Sequence, residues 1–468
     1  MKNLQASSRL AASRILPALL VLVFLSTPAG AAPAADSKAA DSKASHAKAA
    51  GRPKTVPFIE DDYAKALSEA RARKVPIFLD SWATWCHTCR SMMAFVFTDP
   101  ALASRAGEFV WLSIDVEKPQ NAPVRVKYPA AALPTFFVVD PDSERVVRRW
   151  VGGMTIKQLD GFLDEGKKAY VDASKPAESA LARGDRLYGE ADYKGAALAY
   201  EEALPGLESD PANYARVAEA LSFSLSMTDQ NEAGVKLAQA ALPKLGRTTS
   251  GASLAVSGLA FALALPPERP GRASLIAHFE QKTREALDDP TITLADDDRS
   301  GLYATLMEAR QDAKDEAGAK KAALAWATFL DGAAARAKTP DERAVFDSHR
   351  LSAYLELGEP EKAVGFLKES EKAAPGDYNP SYRLALAYNA MKQWDDALDA
   401  SQRSLALAYG PRKIRIYNAR TDSYIGKGDK DAARKTLDEA IRYAEALPEG
   451  QRSESSITAL RKRRDDLS

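Results

Sequence analysis

Two cysteines occur in 468 residues, and they stand three positions apart in Cys86-His87-Thr88-Cys89. The apolar run from Val75 to Asp80 ahead of them reads as a short buried strand, and Cys89 to Phe97 reads as a helix. Cys86 is thereby expected where a strand gives way to a helix N-terminus, whose unpaired N–H groups stabilise an anion. Cys89 follows about one helical turn later, within reach of a mixed disulfide held on Cys86. One cysteine can act as nucleophile and the other as resolver. Two rivals exist. A purely structural disulfide would close a loop too short to stabilise much. A metal site would need further ligands, yet His46, His278 and His349 lie far off in sequence and no second Cys-x-x-Cys exists. No metal and no cofactor are expected.

The flanking residues carry a resemblance. Asp80, Trp82, Ala83, Trp85, Cys86 and Cys89 are placed as in the Asp-x-Trp-Ala-x-Trp-Cys-x-x-Cys segment of the thioredoxin superfamily. Leu133-Pro134-Thr135, before the strand Phe136 to Val139, resembles that family's cis-proline loop. Trp150-Val151-Gly152-Gly153 and a helix over Lys157 to Leu163 resemble its C-terminal half. Within the superfamily the pattern is most similar to the electron-delivering periplasmic domain of bacterial transmembrane thiol-disulfide interchange proteins. A helix from Asp61 to Arg73 runs into the first strand of the pattern with no obvious strand before it, and Phe97 to Leu102 follows the cysteine helix, both as in that subgroup.

The resemblance implies a thioredoxin-like α/β domain in which Cys86 and Cys89 form a redox-active disulfide, and a reductant rather than an oxidant. It implies that Asp80 is buried behind the cysteines and passes a proton to or from Cys89. The rival for Asp80 is a strand-ending acid facing solvent. Leu133 and a cis Pro134 would pair with an incoming peptide, and Trp85 would touch it. The implied partners are protein clients bearing disulfides and an upstream thiol-disulfide electron donor. The chain departs from thioredoxin where His87 and Thr88 replace Gly-Pro, and where Trp111 stands in place of a lysine beside the buried aspartate. His87 and Thr88 are therefore assigned a redox-tuning role.

Lys2, Arg9 and Arg14 precede the apolar run Ile15 to Leu25, and Ala29-Gly30-Ala31 offers small residues for cleavage. Residues 1–31 read as a secretory signal peptide, which predicts a periplasmic or secreted protein with no membrane span in the mature chain. Residues 32–57, rich in Ala, Ser, Lys, Asp and Pro, read as a disordered linker. Acidic and basic residues balance at 64 each, too near neutrality for a nucleic-acid reader.

Beyond residue 172 strand patterns vanish. Tyr354, Ala363 and Ser370 return as Tyr388, Ala397 and Ser404, each a step of 34 residues, and Tyr424, Gly428, Ala433 and Ala440 follow after a short insertion. Gly184, Leu187, Tyr193, Ala196, Tyr200 and Ala203 fit the same template upstream. These segments resemble tetratricopeptide repeats, in which small residues let paired helices approach and tyrosines fill the gap between neighbours. The expected architecture is an α/β thioredoxin-like domain at 58–172 followed by an all-α solenoid. The solenoid comprises a repeat at 177–210, a divergent helical stretch at 211–340, three repeats at 343–446 and a helical tail at 447–468. Ala252 to Leu265 is expected to be a buried helix, and Asp296 to Asp298 a loop. Arg383, Asn389, Arg415, Asn418 and Arg420 fall on first helices of repeats, where a groove would hold a protein or peptide ligand.

The expected function is an exported thiol-disulfide oxidoreductase whose repeats recruit or orient clients. The alternative is a binding or assembly protein in which the cysteine domain is vestigial.

Overall fold

The computed structural model describes residues 55–172 and 179–467. Residues 1–31, read from the sequence as a signal peptide, and most of the stretch read as a linker lie outside them. Val56, placed by sequence in the linker, is buried in the apolar layer of the first domain.

That domain is a five-stranded sheet: β1 (Phe58–Glu60), β2 (Ile77–Trp82), β3 (Val110–Asp115), β4 (Thr135–Val139) and β5 (Val146–Val151), in the order β1-β3-β2-β4-β5. The first three are mutually parallel; β4 pairs antiparallel with β2 on one side and with β5 on the other. β1 corrects the expectation of no first strand; at three residues it is too short for any periodicity to register. The helices are α1 (Tyr63–Arg73), α2 (His87–Ser91), α3 (Ala122–Lys127) and α4 (Ile156–Asp172), with α2 continuing into a wider π turn over Met92–Val96.

Both faces of the sheet are covered, so its strands are nearly all apolar. Phe78, Trp111, Phe136 and Val138 face Met92, Val96, Leu159 and Phe162 on one side. Ile77, Leu79, Leu112 and Phe137 face Ala66 and Ala70 on the other. The alternation of Phe78 with its neighbours follows from the two-residue strand period. Each fully buried aromatic or leucine here is worth roughly 2 kcal/mol of transfer free energy.

Paired helices follow: α5 (Ala180–Gly189) with α6 (Tyr193–Ala203), α7 (Pro211–Ser226) with α8 (Asn231–Leu245), and α9 (Thr249–Ala264) with α10 (Arg272–Asp288). Next come α11 (Asp296–Asp312) with α12 (Glu316–Arg336), the short α13 (Pro340–Ala344), and α14 (Asp347–Leu357) with α15 (Glu361–Ala373). The last pairs are α16 (Tyr378–Ala390) with α17 (Trp394–Leu407) and α18 (Lys413–Lys427) with α19 (Lys430–Glu445), ending in α20 (Glu454–Asp465).

The small residues act as the repeat template requires. Ala363, Ala397 and Ala433 are fully buried. A Cβ on Gly426 would lie 2.5 Å from the Trp394 ring. Turns within the pairs need a left-handed residue, which is Gly358 and Gly428 in two repeats but Asp229, Lys314 and Lys392 in others. Asp229 and Lys314 thereby remove the glycine signal from the α7–α8 and α11–α12 turns of the 211–340 stretch. Asp296 to Asp298 form the first turn of α11 rather than a loop, where the helix dipole favours acidic side chains. Among the described residues no helix is long and apolar enough to cross a membrane.

The array does not trail away from the sheet. Gly189 packs on Val146, and Arg149 donates to the Tyr188 carbonyl at 2.9 Å and the Tyr193 hydroxyl at 3.1 Å, so the first repeat abuts β5. Later repeats reach the opposite end of the sheet, where the cysteines lie.

Candidate active site

β2 carries Asp80 and ends at Trp82, and the chain turns into α2 with Cys86 as its N-cap. Cys86 and Cys89 are joined in a disulfide, with Cα atoms 5.2 Å apart. The Cys89 amide donates to Cys86 Sγ at 3.1 Å, so a sulfur carrying negative charge on Cys86 would be met by a helix-terminal N–H. The two cysteines are 4% and 1% exposed.

The Leu133–Pro134 bond is cis, and the Pro134 carbonyl accepts from the Gly152 amide at 2.9 Å. Asp80 is 2% exposed within the strand, which removes the solvent-facing rival. The strand register adds a polar neighbour to the comparison made for Trp111. The register sets Trp111 opposite Phe78 and Ser113 opposite Asp80, and the Ser113 hydroxyl contacts the Asp80 carboxylate at 3.5 Å. Ser113 is thus the polar neighbour that position counting missed.

Trp85 is half-buried. Its indole N–H donates to Glu117 at 3.1 Å, and the Arg412 guanidinium lies 4.5 Å over its ring. The Arg412 amide donates to the same Glu117 carboxylate at 2.7 Å. His87 lies against His349 of α14, their ring centroids 3.7 Å apart. Burial first, and then the charge of Arg383, pushes the His87 imidazole down to about 4. His349 is pushed down likewise, by burial and then by His87 and Arg383. Sequence distance was therefore a poor reason to set His349 aside. Among the described residues, however, no three His, Cys, Asp or Glu side chains are grouped to hold a metal ion.

Thr88 and Ser91 face Asp297 of α11. The Ser91 hydroxyl donates to Asp297 at 2.7 Å. Burial raises the Asp297 carboxyl against the hydrogen bonds of Ser91 and Thr88, and burial together with Asp297 lifts Asp298 to about 8. Arg90 pairs with Asp377, the N-cap of α16, and Asn379 donates to Thr84 at 3.2 Å. Asp297, His349, Asp377, Asn379 and Arg412 carried no local signal, because each meets the cysteine loop across the tertiary fold.

A thioredoxin-like family profile matches residues 59–141, and a tetratricopeptide-repeat profile matches residues 378–446. The chain carries a thioredoxin-like domain and tetratricopeptide repeats. The thioredoxin-like part is similar to the thiol:disulfide interchange protein DsbD of Vibrio vulnificus strains CMCP6 and YJ016. Each is 35% identical over 60 residues, which is 13% of this chain and 10% of the relative's length. Among solved structures, the TPR2AB-domain:pHSP90-complex of yeast Sti1 matches at 15% identity and a TM-score of 0.23, over 61% of this chain and 97% of that one. The APC/C hetero-tetramer Cut9-Hcn1 matches at 14% identity and a TM-score of 0.31, over 64% of this chain and 59% of that one.

Of the groove candidates, Arg383 is 5% exposed. Asn389 donates to the Ala419 carbonyl at 2.9 Å, Asn418 accepts from Arg463 at 2.7 Å, and Arg420 donates to the Leu398 carbonyl at 2.8 Å. These three hold the array together.

Proposed function

We propose that this protein is an exported protein-disulfide reductant acting through Cys86 and Cys89. The observation that carries the reading is the Cys86–Cys89 disulfide at a helix N-cap, in a domain that also has a cis Leu133–Pro134 bond and a buried Asp80. In the reduced form the Cys86 thiolate attacks a client disulfide, whose S–S bond breaks as a mixed disulfide forms. Cys89 then gives up its proton to Asp80 and attacks Cys86 Sγ. The client leaves as a dithiol, having taken up protons, and the Cys86–Cys89 bond re-forms. An upstream thiol-disulfide donor returns two electrons.

The preference for reduction rests on the similarity to DsbD over 60 residues. Export rests on the basic residues and apolar run of residues 1–31 and on the absence of other cysteines that could mispair. Trp85 and Leu133 are assigned to client contact, and His87 and Thr88 to setting the potential. The repeats recruit or orient a protein ligand. The side of the array formed by α17, α18 and α19 offers a cavity of about 460 Å³ lined by Lys413, Tyr417, Arg420, Lys435 and Glu439.

The test is to express Cys89→Ser and Cys86→Ser variants with the export signal and isolate mixed disulfides. Clients trapped on Cys86 by Cys89→Ser, and few by Cys86→Ser, support the reading. Trapping by neither favours the second reading, an assembly protein with an idle thiol pair, for which the covering of the cysteine loop by the array speaks.

A further inference from the structure

The residues around the disulfide are taken up one after another by the array. Thr84 is held by Asn379, Trp85 by Arg412, His87 by His349, Arg90 by Asp377 and Ser91 by Asp297. The contact continues on the loop after β3. The Tyr409 hydroxyl donates to Asp115 at 2.5 Å, and Gln451 donates to the carbonyls of Val116 at 2.9 Å and Lys118 at 3.0 Å. Helices α11, α14 and α16, the turn before α18 and the turn before α20 thus converge on one end of the sheet.

A client disulfide has to approach Cys86 Sγ in line with the bond it will form. A cysteine 4% exposed, beside a Trp85 ring already covered by Arg412, offers a folded protein little of that approach.

The two ends of the contact differ in their apolar share. At β5 the first repeat adds packed apolar groups to the Arg149 hydrogen bonds and the Arg148–Asp185 ion pair: Val151 lies against the same cluster as Tyr188, and Gly189 against Val146. At the cysteine end the bonds are ion pairs and hydrogen bonds, with Phe95 on Phe346 as an aromatic contact at 6.4 Å between centroids. Polar contacts of that sort exchange readily for water, whereas a packed apolar contact resists separation.

We propose that the repeats from α11 to α20 form a clasp over the Cys86–Cys89 disulfide that a protein client must displace, while the first repeat stays on β5 as its fixed end. The surface of the array formed by α11, α14, α16 and the turns before α18 and α20 is then the docking surface for residues 84–91 and 115–118 of its own chain, and a client competes with it. This rests on Cys86 and Cys89 exchanging with client disulfides.

The experiment uses the full mature chain carrying Asp377→Asn together with Tyr409→Phe. The asparagine can still cap α16 while the charge facing Arg90 is lost, and the phenylalanine loses the bond to Asp115. Thiol-driven reduction of insulin and of a small aromatic disulfide is measured, along with amide hydrogen exchange at residues 84–91. The expected result is faster exchange at 84–91, insulin reduction raised about threefold or more by the larger open population, and a smaller change for the small disulfide. Unchanged insulin reduction despite faster exchange at 84–91 overturns the clasp, as does exchange that does not change. If neither wild type nor variant reduces any disulfide, it is the thiol-exchange reading that fails, and hydrogen exchange alone then decides whether the contact opens. Should the double variant not fold, Gln451→Leu removes the two bonds to Val116 and Lys118 and is read the same way.

Discussion

His87, between the two cysteines, lies against His349 of α14, their ring centroids 3.7 Å apart and their planes inclined at 49°. The Ser300 hydroxyl meets His349 Nδ1 at 2.7 Å and accepts from the Trp326 indole at 2.7 Å, so the ring that covers His87 is itself held from behind. The environment of the thiol pair is built from both domains.

That contact makes a titration prediction. The closed form keeps His87 neutral, because burial and the Arg383 charge lower it from 6.5 to about 4. Its contribution to the interface is complete above pH 6.5 and falls away as the pH drops toward 4. Asp298, raised from 3.8 to about 8, has the opposite sense: its contribution is complete below pH 3.8 and is lost as the pH rises through 8. Nuclear magnetic resonance of the oxidised full chain should place the His87 midpoint near 4, and Arg383→Gln should raise it. A wild-type midpoint near 6.5 would show that His349 does not cover the ring in solution.

Thiol reactivity should be unequal. In the reduced protein Cys86 faces the Cys89 amide at the helix start, so it should alkylate before Cys89 at neutral pH, with partial labelling located by mass spectrometry. Equal rates would reverse the assignment of nucleophile and resolver.

Asp80 is buried inside β2 with the Ser113 hydroxyl at 3.5 Å. Asp80→Asn should leave the circular dichroism spectrum unchanged and slow resolution of a mixed disulfide on the order of 100-fold, with its pH dependence flattened. Ser113→Ala should slow it less. Single-turnover kinetics separates the two, and an unaltered pH profile in Asp80→Asn would deny the proton relay.

Stability of the array should depend on its small residues. A Cβ at Gly426 would lie 2.5 Å from the Trp394 ring, so Gly426→Ala should destabilise the C-terminal repeats by about 1–3 kcal/mol. Urea unfolding followed by tryptophan fluorescence reads this directly. A neutral effect would mean the indole can shift aside.

What could be read locally was read from spacing. Cys86 and Cys89, the apolar strands and the repeating Tyr354, Ala363 and Ser370 carry their roles in short-range patterns, because a strand alternates and a helix pair repeats whatever it packs on. The weak points were local too. β1 is too brief to show a period, and the 211–340 stretch has Asp229 and Lys314 at the left-handed turn positions that Gly358 and Gly428 mark elsewhere.

The sequence by itself determined a thiol pair at a strand-to-helix junction and an array of helix pairs behind it. Only the tertiary structure decided that the array curls back onto the thiol pair, setting His349 on His87, Asn379 on Thr84 and Tyr409 on Asp115. The reason is physical. These are a ring contact and hydrogen bonds between residues hundreds of positions apart, and no propensity or periodicity at either end depends on its partner. Their pairing comes from the curvature that successive helix pairs accumulate and from the anchoring of the first repeat on β5.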